Sequence, residues 1–299
     1  MANGTRQEIL SVLIDDVTKN STNPIIVKYI KDYIQAGYKT GFINDKNLSY
    51  VVSKLMHVER FANLPQQYRG IYGATFHNNN SPNLTVCINP DLDDYRRELY
   101  SFHEFRHVIM DGNTEVVSRS IGNMNSNIIS QVEDGYTVIE EAIAQNSAEE
   151  MMASLQNRRR TNFRTQNDPA IPNISFKSDF GFYGLYQPIA SRFARTLRGI
   201  GSIPESNNNP NNYLNSLTSR AFDKGFIERI MNEYQKDGHF KDLMQSFYNL
   251  GVVYRVKQKT FGINNNSPYT PSDSAKAYKN TLNMYASLED RRPPLENQR

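Results

Sequence analysis

The sequence predicts an α+β fold that is mostly helical and contains a small antiparallel sheet. Apolar residues recur at helical spacing over residues 6–19, 24–36 and 47–61. Two short β-rich runs, 71–76 and 84–88, flank the polar turn "HNNNSP", a pattern typical of a β-hairpin. The chain has 299 residues, which is enough to bury a large core in one domain or in two closely packed lobes.

Turn and linker residues divide the chain into three predicted segments. Residues 1–112 form an N-terminal lobe that contains the hairpin and a helix with two histidines. Residues 113–261 form a helical lobe, with one long helix after "DG" at Asp134-Gly135 and later helices over 213–236 and 240–256. Residues 262–299 read as a linker, a short amphipathic helix and a polar tail.

Composition and charge argue against several classes of protein. A net charge of +3 gives no global electrostatic case for binding nucleic acid, and Arg158–Arg160 are typical of a solvated helix end. Cys87 is the single cysteine, so no disulfide can form within the chain. No stretch approaches the roughly 20 apolar residues of a membrane span, and the first 20 residues lack the apolar core of a signal peptide. We therefore expect a cytoplasmic protein, with export by a specialised secretion system and the oligomeric state left open.

The segment "SFHEFRHVIM" carries the strongest chemical signal in the chain. His103 and His107 are four residues apart, so a helix places both imidazoles on one face, where they can bind one zinc ion. Glu104 follows the first histidine, and its carboxylate belongs beside the metal as a general base. Acidic cap residues precede this segment and "DG" follows it, as expected for a helix with defined ends.

A catalytic zinc site normally has three protein ligands, and the third must lie elsewhere in the chain. A further histidine six residues after the motif is missing, because that position is Asn113. With "VIEEAIAQNSAEE" downstream, the chain resembles the gluzincin metallopeptidases, the thermolysin-like branch of the zincins. In that family a second helix bearing Glu followed by Gly or Ala supplies the third ligand, and Glu141-Ala142 matches this pair.

The resemblance also implies further roles. In zincins an edge strand beside the active site holds the substrate backbone, and Leu84–Ile88 resembles that strand. A Tyr or His downstream of the third ligand stabilises the oxyanion, which implies Tyr186, with Tyr183 and His239 as alternatives. Two features depart from the family pattern. Arg106 stands where an uncharged residue is usual and must reach solvent or a carboxylate, and the spacing from His107 to the third ligand exceeds that of thermolysin, which implies a distinct gluzincin family.

Glu140 competes with Glu141 for the ligand role. Ala144 and Ala148 lie three and seven residues after Glu141, so this face of the helix is small enough to approach the histidine helix closely. We therefore expect Glu141 to be the ligand and leave Glu140 as the alternative.

The sequence as a whole predicts a zinc-dependent endopeptidase in which zinc activates a water molecule and Glu104 is the general base. Its partner is expected to be a peptide or protein substrate, with no nucleic acid and no membrane. The alternative is a non-catalytic zinc-binding or protein-interaction module on a zincin fold. Glu104 argues against that alternative, since metal binding alone needs no such carboxylate.

Overall fold

The computed structural model describes residues 24–68, 71–77, 83–122, 125–156, 186–197, 210–260, 262–263 and 265–290, and most of them are helical. The predicted helix over 6–19 lies outside these ranges. The helices are α1 (Pro24–Thr40), α2 (Leu48–Leu55), α3 (Asp94–Met110), α4 (Asn113–Ile121), α5 (Ser126–Leu155), α6 (Tyr186–Thr196), α7 (Pro210–Arg220), α8 (Phe226–Lys236), α9 (Phe240–Thr260) and α10 (Pro271–Asp290). The strands are β1 (Val58–Asn63), β2 (Gly73–His77) and β3 (Leu84–Ile88), with a short 3₁₀ turn at Gln66–Tyr68.

The three strands form one sheet in the order β1-β3-β2. β2 and β3 are antiparallel, with Thr75 opposite Val86, which confirms the predicted hairpin pairing. β1 runs parallel to β3, so the sheet is mixed and the prediction of an antiparallel sheet is corrected. β3 therefore pairs on both sides, and the expectation that Leu84–Ile88 is an edge strand is wrong.

Several predicted helices have different limits in the structure. The long helix predicted after Asp134-Gly135 begins at Ser126, so these two residues lie inside α5. The helix expected over 47–61 ends at Leu55, and the following residues form β1 instead. Pairing with β3 satisfies the backbone of "VERFAN", so tertiary contacts override the helical periodicity there. The helix expected over 213–236 is divided into α7 and α8, with Gly225 in a left-handed conformation at the start of α8. The short helix α4 was not predicted.

The histidine helix α3 is held at both ends. Asp93 is its N-cap, and the carboxylate accepts a hydrogen bond of 2.8 Å from the backbone N–H of Arg96. At the other end, the Tyr50 hydroxyl donates to the carbonyl of Ile109 at 3.0 Å, and Lys54 Nζ donates to the carbonyl of Asp111 at 2.9 Å. Both donors lie on α2, which therefore satisfies carbonyl groups that the helix cannot pair internally.

Apolar packing determines which face of α3 is turned toward the interior of its unit. Tyr33 on α1 is fully buried and makes edge-to-face contacts with Phe102 and Phe105, at centroid distances of 5.2 and 5.6 Å. The same helix contacts β2 and β3. These contacts orient α3 relative to the sheet.

The chain divides into two compact units. The described part of the first comprises residues 24–68, 71–77, 83–111, 147–156 and 222–224, and it contains the sheet and α3. The second comprises described residues 112–146, 186–221 and 225–290. Among the residues that the structure describes, we find no helix with both the length and the apolar character that a membrane crossing requires.

The second unit is built around a close crossing of α5 and α9. Arg255 on α9 donates from Nε to Asp134 Oδ2 at 2.6 Å and from a terminal nitrogen to Gln131 Oε1 at 3.2 Å. α10 packs against α9 and α6, and its Tyr285 is 1% exposed. α10 is longer than the helix predicted over 275–288. Its Tyr285 contributes a buried aromatic side chain to the second unit.

Candidate metal centre

His103 and His107 lie one turn apart on α3, as their spacing predicts. Their Nε2 atoms are 3.0 Å apart, and the ring centroids are 4.8 Å apart. A tetrahedral zinc ion with Zn–N bonds of about 2.0–2.1 Å would place two nitrogens about 3.3 Å apart. A shift of a few tenths of an ångström would therefore let both imidazoles bind one ion through Nε2.

Glu141 on α5 completes a group of three possible ligands. One ligand atom each from His103, His107 and Glu141 lies within 4.8 Å of the other two, so this group could hold a metal ion. Two nitrogens and a carboxylate oxygen are a donor set that zinc accepts. Glu140 does not belong to this group, because adjacent residues of a helix point about 100° apart. Ala144 and Ala148 are fully buried, as expected for the small face of this helix.

Glu104 is held in place by strand β2. Only 4% of the residue is exposed. Thr75 Oγ1 donates a hydrogen bond of 2.8 Å to Glu104 Oε2. Burial raises the pKa of the Cys87 thiol, and the negative charge of Glu104 acts in the same direction. Cys87 is therefore a buried protonated thiol, in keeping with its position in an apolar strand.

Arg106 is buried within the first unit and does not reach solvent. It has no exposed surface, and its guanidinium carbon lies 3.8 Å from the ring centroid of Phe222. A cation over an aromatic face at this distance is a favourable contact, stronger when water is excluded. Burial raises the pKa of the Tyr33 phenol, and the positive charge of Arg106 acts against that shift. Arg106, at a motif position that is usually uncharged, is thus part of the interior packing of the first unit.

Tyr186, the expected oxyanion residue, begins α6 and is 1% exposed. Burial raises the pKa of its phenol well above the ordinary value, and Tyr254 and Glu141 act in the same direction. The phenol therefore stays protonated at neutral pH and can donate a hydrogen bond. Lys257 Nζ lies 4.4 Å from the centroid of its ring. The role of Tyr186 in stabilising an oxyanion stays a prediction.

Of the two alternatives to Tyr186, the structure describes His239 and not Tyr183. Tyr183 lies outside the described residues. His239 precedes α9, where its Nδ1 lies 3.5 Å from Asp242 Oδ2. His239 therefore pairs with a carboxylate in the first turn of α9. Arg158–Arg160 also lie outside the described residues.

The burial of Lys257 predicts that the stability of the protein depends on pH. Burial lowers the pKa of its ammonium group to about 7, whereas an unfolded chain gives lysine an ordinary pKa of about 10.4. Between these values the unfolded state binds more protons, so the free energy of unfolding rises with pH, by roughly 5 kcal/mol in total. We expect Lys257→Met to abolish this rise and to be more stable than the wild type at pH 6, as measured by urea unfolding between pH 6 and 10.

Lys259→Met is the matched control for this prediction, since Lys259 is exposed on the same helix. It should retain the rise in stability with pH. An unchanged pH dependence in Lys257→Met would contradict the assignment of this effect to Lys257.

Sequence reasoning missed three residues near the candidate site. Thr75 and Gly73 were read only as part of a hairpin, and Lys257 lies one residue beyond the predicted helix over 240–256. The alternation of a strand does place residues 73 and 75 on one face, which is a usable signal once that face is known to contact α3. Nothing in the local sequence of Lys257 marks it as buried, because the surrounding residues fit an ordinary amphipathic helix.

The structure thus brings the three predicted ligands together and places Glu104 directly after the first of them on α3. Tyr186 is near enough to Glu141 for the carboxylate to affect the pKa of its phenol. Comparison of the chain with protein-family models, with curated proteins and with solved structures gave no match.

Proposed function

We propose that this protein is a zinc-dependent peptidase of the gluzincin type. One observation carries the proposal. Ligand atoms of Glu141 on α5 and of two histidines one turn apart on α3 lie within 4.8 Å of one another, and the buried Glu104 follows the first histidine. The three ligands alone would suit a structural ion as well. Glu104 favours hydrolysis, because a carboxylate beside the ligands supplies the base that this chemistry needs.

The roles of the side chains follow from their chemistry. His103, His107 and Glu141 would hold zinc, which would polarise the scissile carbonyl and lower the pKa of a bound water. Glu104 takes a proton from the attacking water and delivers it to the leaving amine. Tyr186 donates from a phenol that stays protonated, and it is the candidate for stabilising charge on the substrate oxygen.

Strand β2 is the proposed binding element for the substrate backbone. It lies at one edge of the sheet in the described strand order, whereas β3 lies in the centre. An edge strand can pair with an extended peptide through its free backbone groups. Thr75 connects this strand directly to Glu104, so a peptide added to β2 would lie beside the general base.

The proposal is tested by metal analysis combined with peptide cleavage. The purified protein should contain about one zinc per chain, and it should generate new amino termini in a proteome-derived peptide library. A chelator should abolish the cleavage, and added zinc should restore it. Stoichiometric zinc without any cleavage would instead support a non-catalytic zinc-binding module.

We expect Glu141→Gln to weaken zinc binding by at least about 100-fold. Loss of a residue that only orients a ligand costs about 10–100-fold in metal affinity, and loss of a ligand should cost more. The measurement is zinc affinity by competition with a chromogenic chelator.

Glu140→Gln makes the same chemical change at the next residue and should leave zinc affinity nearly unchanged. The reverse result, with Glu140→Gln weakening zinc and Glu141→Gln leaving it intact, would overturn the assignment of Glu141. It would leave the two histidines as ligands.

A further inference from the structure

We propose that strand β2 positions Glu104 through two residues: Thr75 orients the carboxylate, and Gly73 leaves the space that it occupies. As a contribution to hydrolysis, this inference rests on the proposed function. As a statement about the placement of one buried carboxylate, it rests on contacts within the first unit alone.

The Thr75 hydroxyl makes a direct contact with the carboxylate. Its Oγ1 lies 2.8 Å from Glu104 Oε2, a normal distance for an O–H···O hydrogen bond. Glu104 is 4% exposed, so solvent cannot readily replace this donor. A glutamate has three rotatable side-chain bonds, and a hydrogen bond at its end restricts the orientations that the carboxylate can adopt.

Gly73 lies on the same face of β2 as Thr75, two residues earlier. A Cβ atom built on Gly73 would lie 2.8 Å from Glu104 Oε1 and 3.0 Å from Glu104 Cγ. It would also lie 3.1 Å from Cδ1 of Ile88, its partner on β3. All of these atoms belong to side chains, so the structure can accommodate a methyl group by moving the Glu104 carboxylate and the end of Ile88. The lack of a side chain at position 73 thus leaves room for the Glu104 carboxylate, whereas the backbone of the strand itself does not require glycine there.

This geometry predicts that catalysis and stability respond differently to substitution in β2. A misplacement of about 1 Å at a reacting group can cost about 100-fold in rate. Moving the end of a flexible side chain, by contrast, costs little free energy of unfolding. Thr75 and Gly73 are therefore positioning residues, whose loss should lower kcat and leave zinc content and KM nearly unchanged.

The experiment compares Thr75→Val, Thr75→Ser and Gly73→Ala in the zinc-loaded protein. The substrate is a fluorogenic peptide built on a cleavage site found in the peptide library. We expect kcat to fall about tenfold in Thr75→Val and about 100-fold in Gly73→Ala, with KM within about twofold. Thr75→Ser keeps the hydroxyl and should restore most of the rate. Thr40→Val makes the same chemical change on α1, where the hydroxyl donates only within its own helix, and is the matched control, with kcat expected to be unchanged.

A second measurement tests the contact without any substrate. In the zinc-free protein, urea unfolding of Thr75→Val, Glu104→Ala and the double variant forms a double-mutant cycle. We expect the shifts in urea midpoint to be non-additive, since either single change removes the same hydrogen bond.

The possible outcomes separate this inference from the proposed function. Additive midpoint shifts, or wild-type kcat in both Thr75→Val and Gly73→Ala, would overturn the inference and leave the peptidase proposal standing. A wild-type protein that binds zinc and cleaves no peptide would overturn the peptidase proposal, and the cycle alone would then decide whether Thr75 positions Glu104.

Discussion

Glu104→Gln is expected to hydrolyse peptides about 10²–10⁴-fold more slowly than the wild type and to bind the same amount of zinc. The amide has nearly the shape of the carboxylate, and it can still accept a hydrogen bond from Thr75, which in the wild type donates to Oε2 at 2.8 Å. The fold should therefore be retained. The amide cannot take a proton from water near neutral pH, so only the base is lost.

The measurement is the cleavage rate at saturating peptide, with zinc content determined on the same samples. Glu98→Gln is the matched control: it makes the same change six residues earlier on α3, at a carboxylate that pairs with Lys28. Its rate should match the wild type. Wild-type rates in Glu104→Gln would show that Glu104 has no chemical role, and loss of zinc in that variant would show that it acts as a ligand.

Gly135→Ala is expected to destabilise the protein by more than about 3 kcal/mol or to prevent folding. A Cβ atom at this position would lie 1.6 Å from the carbonyl oxygen of Phe247 and 2.9 Å from the backbone nitrogen of Gly251. These are backbone atoms of α9, so no change of rotamer can relieve the overlap. α5 and α9 would have to separate, and the buried Tyr136–Phe247 contact would be disturbed.

Helix propensity alone predicts the opposite sign, since alanine is favoured over glycine by about 1 kcal/mol within a helix. The measurement is the free energy of unfolding in urea, with soluble yield as a second readout. Asn127→Ala introduces alanine at an exposed position of the same helix and should change stability by less than about 0.5 kcal/mol. A stabilising effect of Gly135→Ala would contradict the close crossing.

Local patterns were sufficient to predict α3 and the close approach of its two histidines. Acidic residues before the helix include Asp93, which is its N-cap. The four-residue spacing brings the two histidine nitrogens to 3.0 Å. Both features depend on helical geometry over a few residues, which sequence determines directly.

The prediction of Glu141 over Glu140 required a second step. Small residues on one face of a helix permit close approach of another helix, and the structure buries Ala144 and Ala148 completely. The structure groups Glu141 with the two histidines, because the direction of a side chain on a helix follows from its position in the sequence. The identity of the metal and the chemistry at the site stay predictions.

The sequence by itself thus determined α3 with its two histidines on one face, because this follows from spacing along a single element, and the polar turn predicted the antiparallel β2–β3 pairing. Tertiary structure alone decided that β1 joins β3 in parallel, that β3 is central, and that Thr75 contacts Glu104. These features depend on which elements meet, and contacts between residues distant in the chain leave no periodic signal in either segment. The same reason applies to Gly135. By its helix propensity it is an unfavourable residue within α5, whereas in the fold its lack of a side chain allows α5 and α9 to approach closely.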